Sequence, residues 1–156
     1  PWNPHIERYV EMNKSWAASA DLLESPPPCL LAATFDDEPR VHAFAAMLSQ
    51  TFPGEFNTVI VSDYQKRGWY CEITKAAVTK WTGLLQVAGG LGHGAHQICA
   101  VGDQMNDMAM ISASSHGVAM GNAVPELKAA ARFVCGDNDA DGLLDVVDYI
   151  RSHNAD

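Results

Sequence analysis

Positive charge is scarce in this chain. Ten Lys and Arg stand against 19 Asp and Glu in 156 residues, a formal net charge of −9 with His neutral. Affinity for nucleic acid and for anionic membrane surfaces rests on Lys and Arg, so neither is an expected partner. Long apolar runs are also missing: none approaches a membrane span, and no signal-peptide pattern opens the chain. Cysteine is sparse. Cys29, Cys71, Cys99 and Cys135 are widely spaced, mostly in apolar strand-like runs, with neither a zinc spacing nor a disulfide framework. They read as reduced core thiols, and the protein as cytoplasmic. No internal repeat is visible. Pro1 is not an initiator, so residues are expected to be missing upstream or removed. What is present suffices for a core: 47% of the residues are apolar, in a length suited to one ordinary domain.

The stretch Ile98-Cys99-Ala100-Val101-Gly102-Asp103-Gln104-Met105-Asn106-Asp107 organises the rest. Its apolar start reads as a buried strand of a parallel sheet. The run breaks at Gly102 and delivers Asp103 at the strand's carboxyl end, and a helical pattern covers Met105 to Ile111. Ligands of open α/β sheets sit outside the carboxyl ends of strands. Asp103 and Asp107, four residues apart, can converge there and offer oxygen to a hard cation such as Mg²⁺. The plain structural reading is a strand end, a turn and an acidic first helical turn.

Elsewhere the pattern predicts a partly helical segment between Pro4 and Leu23, ended by Ser25-Pro26-Pro27-Pro28. A strand over Cys29 to Phe35 leads to Asp36 and Asp37, read as acidic N-cap residues of a helix from Arg40 to Phe52. Strands over Thr58 to Tyr64 and Trp69 to Thr74 flank the hairpin link Gln65-Lys66-Arg67-Gly68. Thr79 is a candidate N-cap for a helix from Lys80 to Val87, with Gly89-Gly90 as its stop. Lys80 would then share a helix's positive end with any anion bound there. His93 and His96 lie in a glycine-rich loop and read as solvated. Asp137, Asp139, Asp141 and Gly142 mimic the start of a calcium loop, but a strand leads in where a helix would be needed. A last helix is expected from Gly142 to Ile150.

Several of these stretches resemble, in order, the haloacid-dehalogenase superfamily, specifically its Cof-type phosphatases with a large α/β cap. Val78-Thr79-Lys80 resembles its third motif and Gly102-Asp103-Gln104-Met105-Asn106-Asp107 its fourth, G-D-x-x-N-D. Gly117-Val118-Ala119-Met120-Gly121-Asn122-Ala123 resembles the strand and turn that follow, Pro125-Glu126-Leu127-Lys128 the next helix, and Asp141-Gly142 the start of the last one. The first motif, D-x-D-G-T, is absent from the sequence; after Asp36 come Asp37, Glu38 and Pro39. No second-motif Ser or Thr can be assigned.

The resemblance implies an α/β fold: part of a cap over residues 1–76, then the carboxyl-terminal part of a Rossmann-like core over residues 77–156. A parallel sheet is expected near Gln97 to Val101, Gly117 to Met120 and Arg132 to Cys135, separate from a small sheet built by residues 29–35, 58–64 and 69–74. It also implies a Mg²⁺-dependent phosphomonoester hydrolase of small phosphorylated metabolites, often sugar phosphates, working through an aspartyl-phosphate. Asp103 would bind the metal. Asp107 would hold the metal's waters or orient Lys80, and Lys80 would neutralise the nucleophile and phosphoryl oxygens. Asn106 would hydrogen-bond the phosphate, with Asn122 also substrate-binding. The alternative is a non-catalytic module that holds phosphate, metal or a partner protein. Half a core exposes edges and apolar faces, so a homodimer or an exchanged-element oligomer is expected.

Overall fold

A computed structural model describes residues 4–16, 32–62 and 68–153. The chain divides into two compact units, Pro1–Ala77 and Val78–Asp156. Among the described residues, no helix is long and apolar enough to cross a membrane.

The first unit holds helix α1 (Pro4–Met12), strand β1 (Ala32–Asp36), helix α2 (Glu38–Thr51) and strands β2 (Phe56–Ser62) and β3 (Trp69–Lys75). Both predicted sequence strands on either side of the hairpin are present, and the sheet is antiparallel in the order β1-β3-β2. The hairpin residues Lys66 and Arg67, and Cys29, lie outside the described residues. Asp37 starts α2 two residues earlier than periodicity placed it: its Oδ1 accepts from Arg40 N at 3.0 Å, and Pro39 sits in the first turn, where a missing N–H costs nothing. Val41, Val61 and Cys71 are buried. The His42 and Trp69 rings approach to 6.4 Å, which puts α2 on the sheet face that carries Trp69 and Cys71.

The second unit holds α3 (Lys80–Gly90), β4 (Cys99–Gly102), α4 (Met108–Ala113), β5 (His116–Ala119), α5 (Pro125–Ala130), β6 (Phe133–Val134) and α6 (Leu143–His153). Its sheet is parallel, β4-β5-β6, and separate from the first. Strand β4 begins two residues later than expected because Ala95–Gln97 forms a 3₁₀ turn. Val118 and Ala119 are fully buried, and helices supply Ile111, Leu127 and Val146 to the same core. That two-sided burial is why Gly117 to Met120 reads as an apolar run. Ser114, itself buried, ties α4 back to the sheet: its Oγ donates to Ile98 O at 2.7 Å and accepts from His116 N at 3.2 Å.

Helix α3 corrects one expectation. It runs through Gly89 and Gly90 and stops beyond them. The stop is Gly92, at φ +82°: Gly92 N donates to Gly89 O at 3.1 Å and His93 N to Ala88 O at 2.8 Å. Those two bonds form a Schellman ending, whose left-handed residue costs least as glycine. Two glycines inside a helix lower its propensity without supplying the left-handed corner that ends it.

Candidate functional site

Strand β4 ends in Gly102, and the chain turns at once through Gln104 into a 3₁₀ turn over Met105–Asp107 that feeds α4. Asp107 holds this turn. Its Oδ2 accepts from Asp103 N at 3.0 Å and from Gln104 N at 3.2 Å, satisfying donors that a helix start leaves unpaired. The other oxygen, Oδ1, meets Lys80 Nζ at 2.5 Å, from 27 residues earlier in the chain. The Asp107 side chain is 6% exposed and that of Lys80 47%. A buried carboxylate with three charge-assisted hydrogen bonds is a well-satisfied anion, each bond worth about 1.5–3 kcal/mol.

Gly102 is where it is for a steric reason. A Cβ there would lie 2.5 Å from Asp107 Cβ and 2.6 Å from its Oδ2, so the carboxylate occupies the space that a side chain would need. Gly117 in β5 is equally constrained, with its missing Cβ 2.1 Å from Ile111 O.

Lys80 is the first residue of α3, and Thr79 caps it: Thr79 Oγ1 accepts from Thr82 N at 3.2 Å, while Thr82 Oγ1 accepts from Thr79 N at 3.0 Å. A cation at a helix N-terminus is disfavoured by a few tenths of a kcal/mol, which the Asp107 contact outweighs. Cap and ion pair together bring the Lys80 ammonium and the amino end of α3 beside the β4 turn.

Asp103 follows β4 and is half-buried. Among the described residues, its side chain takes one hydrogen bond, from Asn122 Nδ2 to Oδ2 at 3.4 Å. Asn106 is half-buried within the 3₁₀ turn and Asn122 is exposed after β5. The structure thus brings Lys80, Asp103, Asp107 and Asn122 into one hydrogen-bonded set. Among the described residues no three His, Cys, Asp or Glu side chains cluster as a ready-made metal cage. The donor set still suits Mg²⁺, which takes one or two carboxylates, several waters and substrate phosphate in place of an all-protein shell. Asp103 Oδ1 is the oxygen on offer, because both oxygens of Asp107 are already engaged.

The acidic Asp137-to-Gly142 turn is also accounted for without calcium. Asp137 Oδ1 packs where Gly121 lacks a Cβ, Asp137 O accepts from Ala140 N and Gly142 N, and Asp145 Oδ2 accepts from Gly136 N at 2.8 Å. What sequence reasoning missed is that Asn138 N donates to Asn122 Oδ1 at 3.1 Å. Residue types carry no signal for this backbone donor; Gly136 and Gly142 mark only that the turn folds back on itself, since a Cβ on Gly142 would meet Gly136 O at 2.0 Å. Asp36, the other aspartate at a strand end, accepts from Asp37 N at 2.9 Å and lies 3.5 Å from Arg40 Nη1, as part of the α2 start.

The family model of haloacid dehalogenase-like hydrolases matches residues 4–147. Curated relatives include a phosphoglycolate phosphatase of Methanothrix thermoacetophila, 33% identical over 58% of this chain and 40% of its own length. Another is the 5-amino-6-(5-phospho-D-ribitylamino)uracil phosphatase YwtE of Bacillus subtilis, 36% identical over 52% of this chain and 28% of its own. The chain therefore spans less than half the length of these relatives. Among solved structures, a haloacid dehalogenase-like hydrolase from Bacteroides thetaiotaomicron superposes with a TM-score of 0.69 over 95% of this chain and 55% of that one, at 23% identity, a likeness of fold. With a Cof-type motif set in order, a parallel core and a family match over nearly all its residues, the chain belongs to the haloacid dehalogenase-like hydrolase family.

Proposed function

We propose that this chain supplies the cation- and phosphate-facing part of a Mg²⁺-dependent phosphomonoesterase acting on small phosphorylated metabolites. The observation that carries the reading is the Lys80–Asp107 pair, made 27 residues apart on the same turn that presents Asp103. Asp107 points the Lys80 ammonium and pins the backbone of Asp103. Lys80 neutralises phosphoryl oxygens and the nucleophile, Asn106 donates to the phosphate, and Asp103 offers Oδ1 to the cation. Bound Mg²⁺ would add charge neutralisation at the phosphoryl group. Such sites work by positioning and electrostatics, with little covalent chemistry for the side chains besides the nucleophile. The nucleophile would come from a D-x-D-G-T segment, which these 156 residues do not contain.

The named activities of the relatives, on phosphoglycolate and on a phosphorylated ribitylaminouracil, support small phosphomonoesters as the substrate class. The antiparallel unit is read as part of the family's cap, which selects among them. The test is hydrolysis of p-nitrophenyl phosphate by a chain that also carries D-x-D-G-T. Activity is expected with Mg²⁺ and not with EDTA, and Lys80→Met is expected to lower kcat at least a hundredfold. Equal kcat with and without Lys80 would overturn the assignment.

A further inference from the structure

Asp103 is held at its backbone, yet a cation ligand must also be held at its carboxylate. The backbone of residues 120–124 grips the end of β4 on both sides of Asn122: Met120 N donates to Gly102 O at 2.9 Å, and Val124 N to Asp103 O at 3.0 Å. Asn122 is thereby fixed opposite the Asp103 side chain. Its amide has a defined orientation, because a backbone N–H can only donate. Asn138 N gives its hydrogen to Asn122 Oδ1 at 3.1 Å, so the remaining NH₂ faces Asp103 Oδ2 at 3.4 Å. The turn that provides Asn138 is docked in its own right, by Gly121 N to Gly136 O at 3.0 Å and by Asp137 in the space beside Gly121.

We propose that Asn122 is a positioning residue: it clips the Asp103 carboxylate by Oδ2, leaves Oδ1 for the cation, and takes its own orientation from the 136–142 turn ahead of α6. The role of the cation rests on the reading of the site as a Mg²⁺-dependent phosphatase; the clip itself does not. An amide already committed at both ends is poorly placed to serve the substrate phosphate, so its contribution passes through Asp103.

Three-bond couplings that report χ1 of Asp103, measured in the labelled full chain without added metal, test this directly. The wild type is expected to show a single rotamer. Asn122→Ala is expected to show averaged couplings, and so is Asn122→Asp, which keeps the acceptor for Asn138 N but sets a like charge against Asp103. Single-rotamer couplings in both variants, or averaging already in the wild type, would overturn the proposal. In a chain that also carries D-x-D-G-T, Mn²⁺ gives a second readout: its Kd is expected to weaken about tenfold in Asn122→Ala, the size of one hydrogen bond to a charged acceptor. An unchanged Kd counts against the clip, whereas a wild type that takes up no Mn²⁺ contradicts the phosphatase reading and leaves the couplings to decide on Asn122.

Discussion

The end of β4 with its neighbours and the corner between α2 and β2 are built to different tolerances. In the first, antiparallel unit the described glycine corner, Gly54, has φ +76° and open space around its missing Cβ. It is a corner between α2 and β2, and a side chain there would meet only backbone strain. In the parallel unit Gly102, Gly117, Gly121 and Gly142 are each closed off within 2.6 Å by carboxylate or backbone atoms. Two of those four, Gly102 and Gly121, border the Asp103–Asp107–Asn122 set. The site is thus found where backbone and side chains pack too closely for any residue but glycine, unlike the open corner at Gly54.

The sharpest way to break this contrast is at Asp107. Asp107→Ala removes the acceptor for Lys80 and for two backbone amides together, and activity of a chain carrying D-x-D-G-T is expected to fall about 10³-fold, or ~4 kcal/mol in the transition state. Steady-state kinetics with saturating Mg²⁺ measure it. Next come the glycines. Gly117→Ala is expected to destabilise by about 3 kcal/mol, because Ile111 O cannot move without disturbing α4, while Gly54→Ala is expected to lose about 1 kcal/mol from its left-handed φ alone. Urea unfolding of the two variants compares them; equal losses would erase the distinction between the two places. A smaller effect than that of Gly117→Ala is expected for Lys80→Met. It leaves the buried Asp107 charge short of a partner but keeps its two amide donors, and Lys80 is half exposed, so stability should fall by about 1.5 kcal/mol.

The smallest effect is alkaline. Burial pushes the thiols of Cys71, Cys99 and Cys135 above the usual cysteine value of 9.0. A group whose folded pKa is raised holds its proton more tightly in the folded chain. Its stabilising effect is complete below the unfolded pKa and is lost as pH rises through the folded one. Melting temperature should therefore decline from about pH 9 upward, and Cys71→Ala should shallow that decline. A decline of identical slope in the variant would assign it to other groups.

How much of this could be read from the chain depended on the kind of signal. The six strands and the separation into two sheets were legible, since apolar runs and acidic caps such as Asp37 are local features. That Lys80, Asp103 and Asp107 come together was legible because a resemblance joined motifs that are distant in the chain. The stop of α3 was misplaced, because composition marks Gly89-Gly90 and only backbone geometry marks Gly92. The link from Asn138 to Asn122 was invisible: it is a backbone donor, and any residue but proline could supply it. The D-N-D-A-D-G run mimics a calcium loop only in composition; its turn is closed by amides donating to the Asp137 carbonyl and by Asp145 beyond the run.

The central claim is that Asp103 and its neighbours, and not Asp36, form the catalytic cation face. The most direct measurement is Mg²⁺-dependent hydrolysis of a generic phosphomonoester by the 156-residue chain and by a chain that includes D-x-D-G-T, each with its Asp103→Asn and Asp36→Asn variants. The expected result is no turnover above buffer for the 156 residues, turnover for the longer chain, its loss in Asp103→Asn and its retention in Asp36→Asn. Robust Mg²⁺-dependent turnover by the 156-residue chain that disappears in Asp36→Asn would contradict the account.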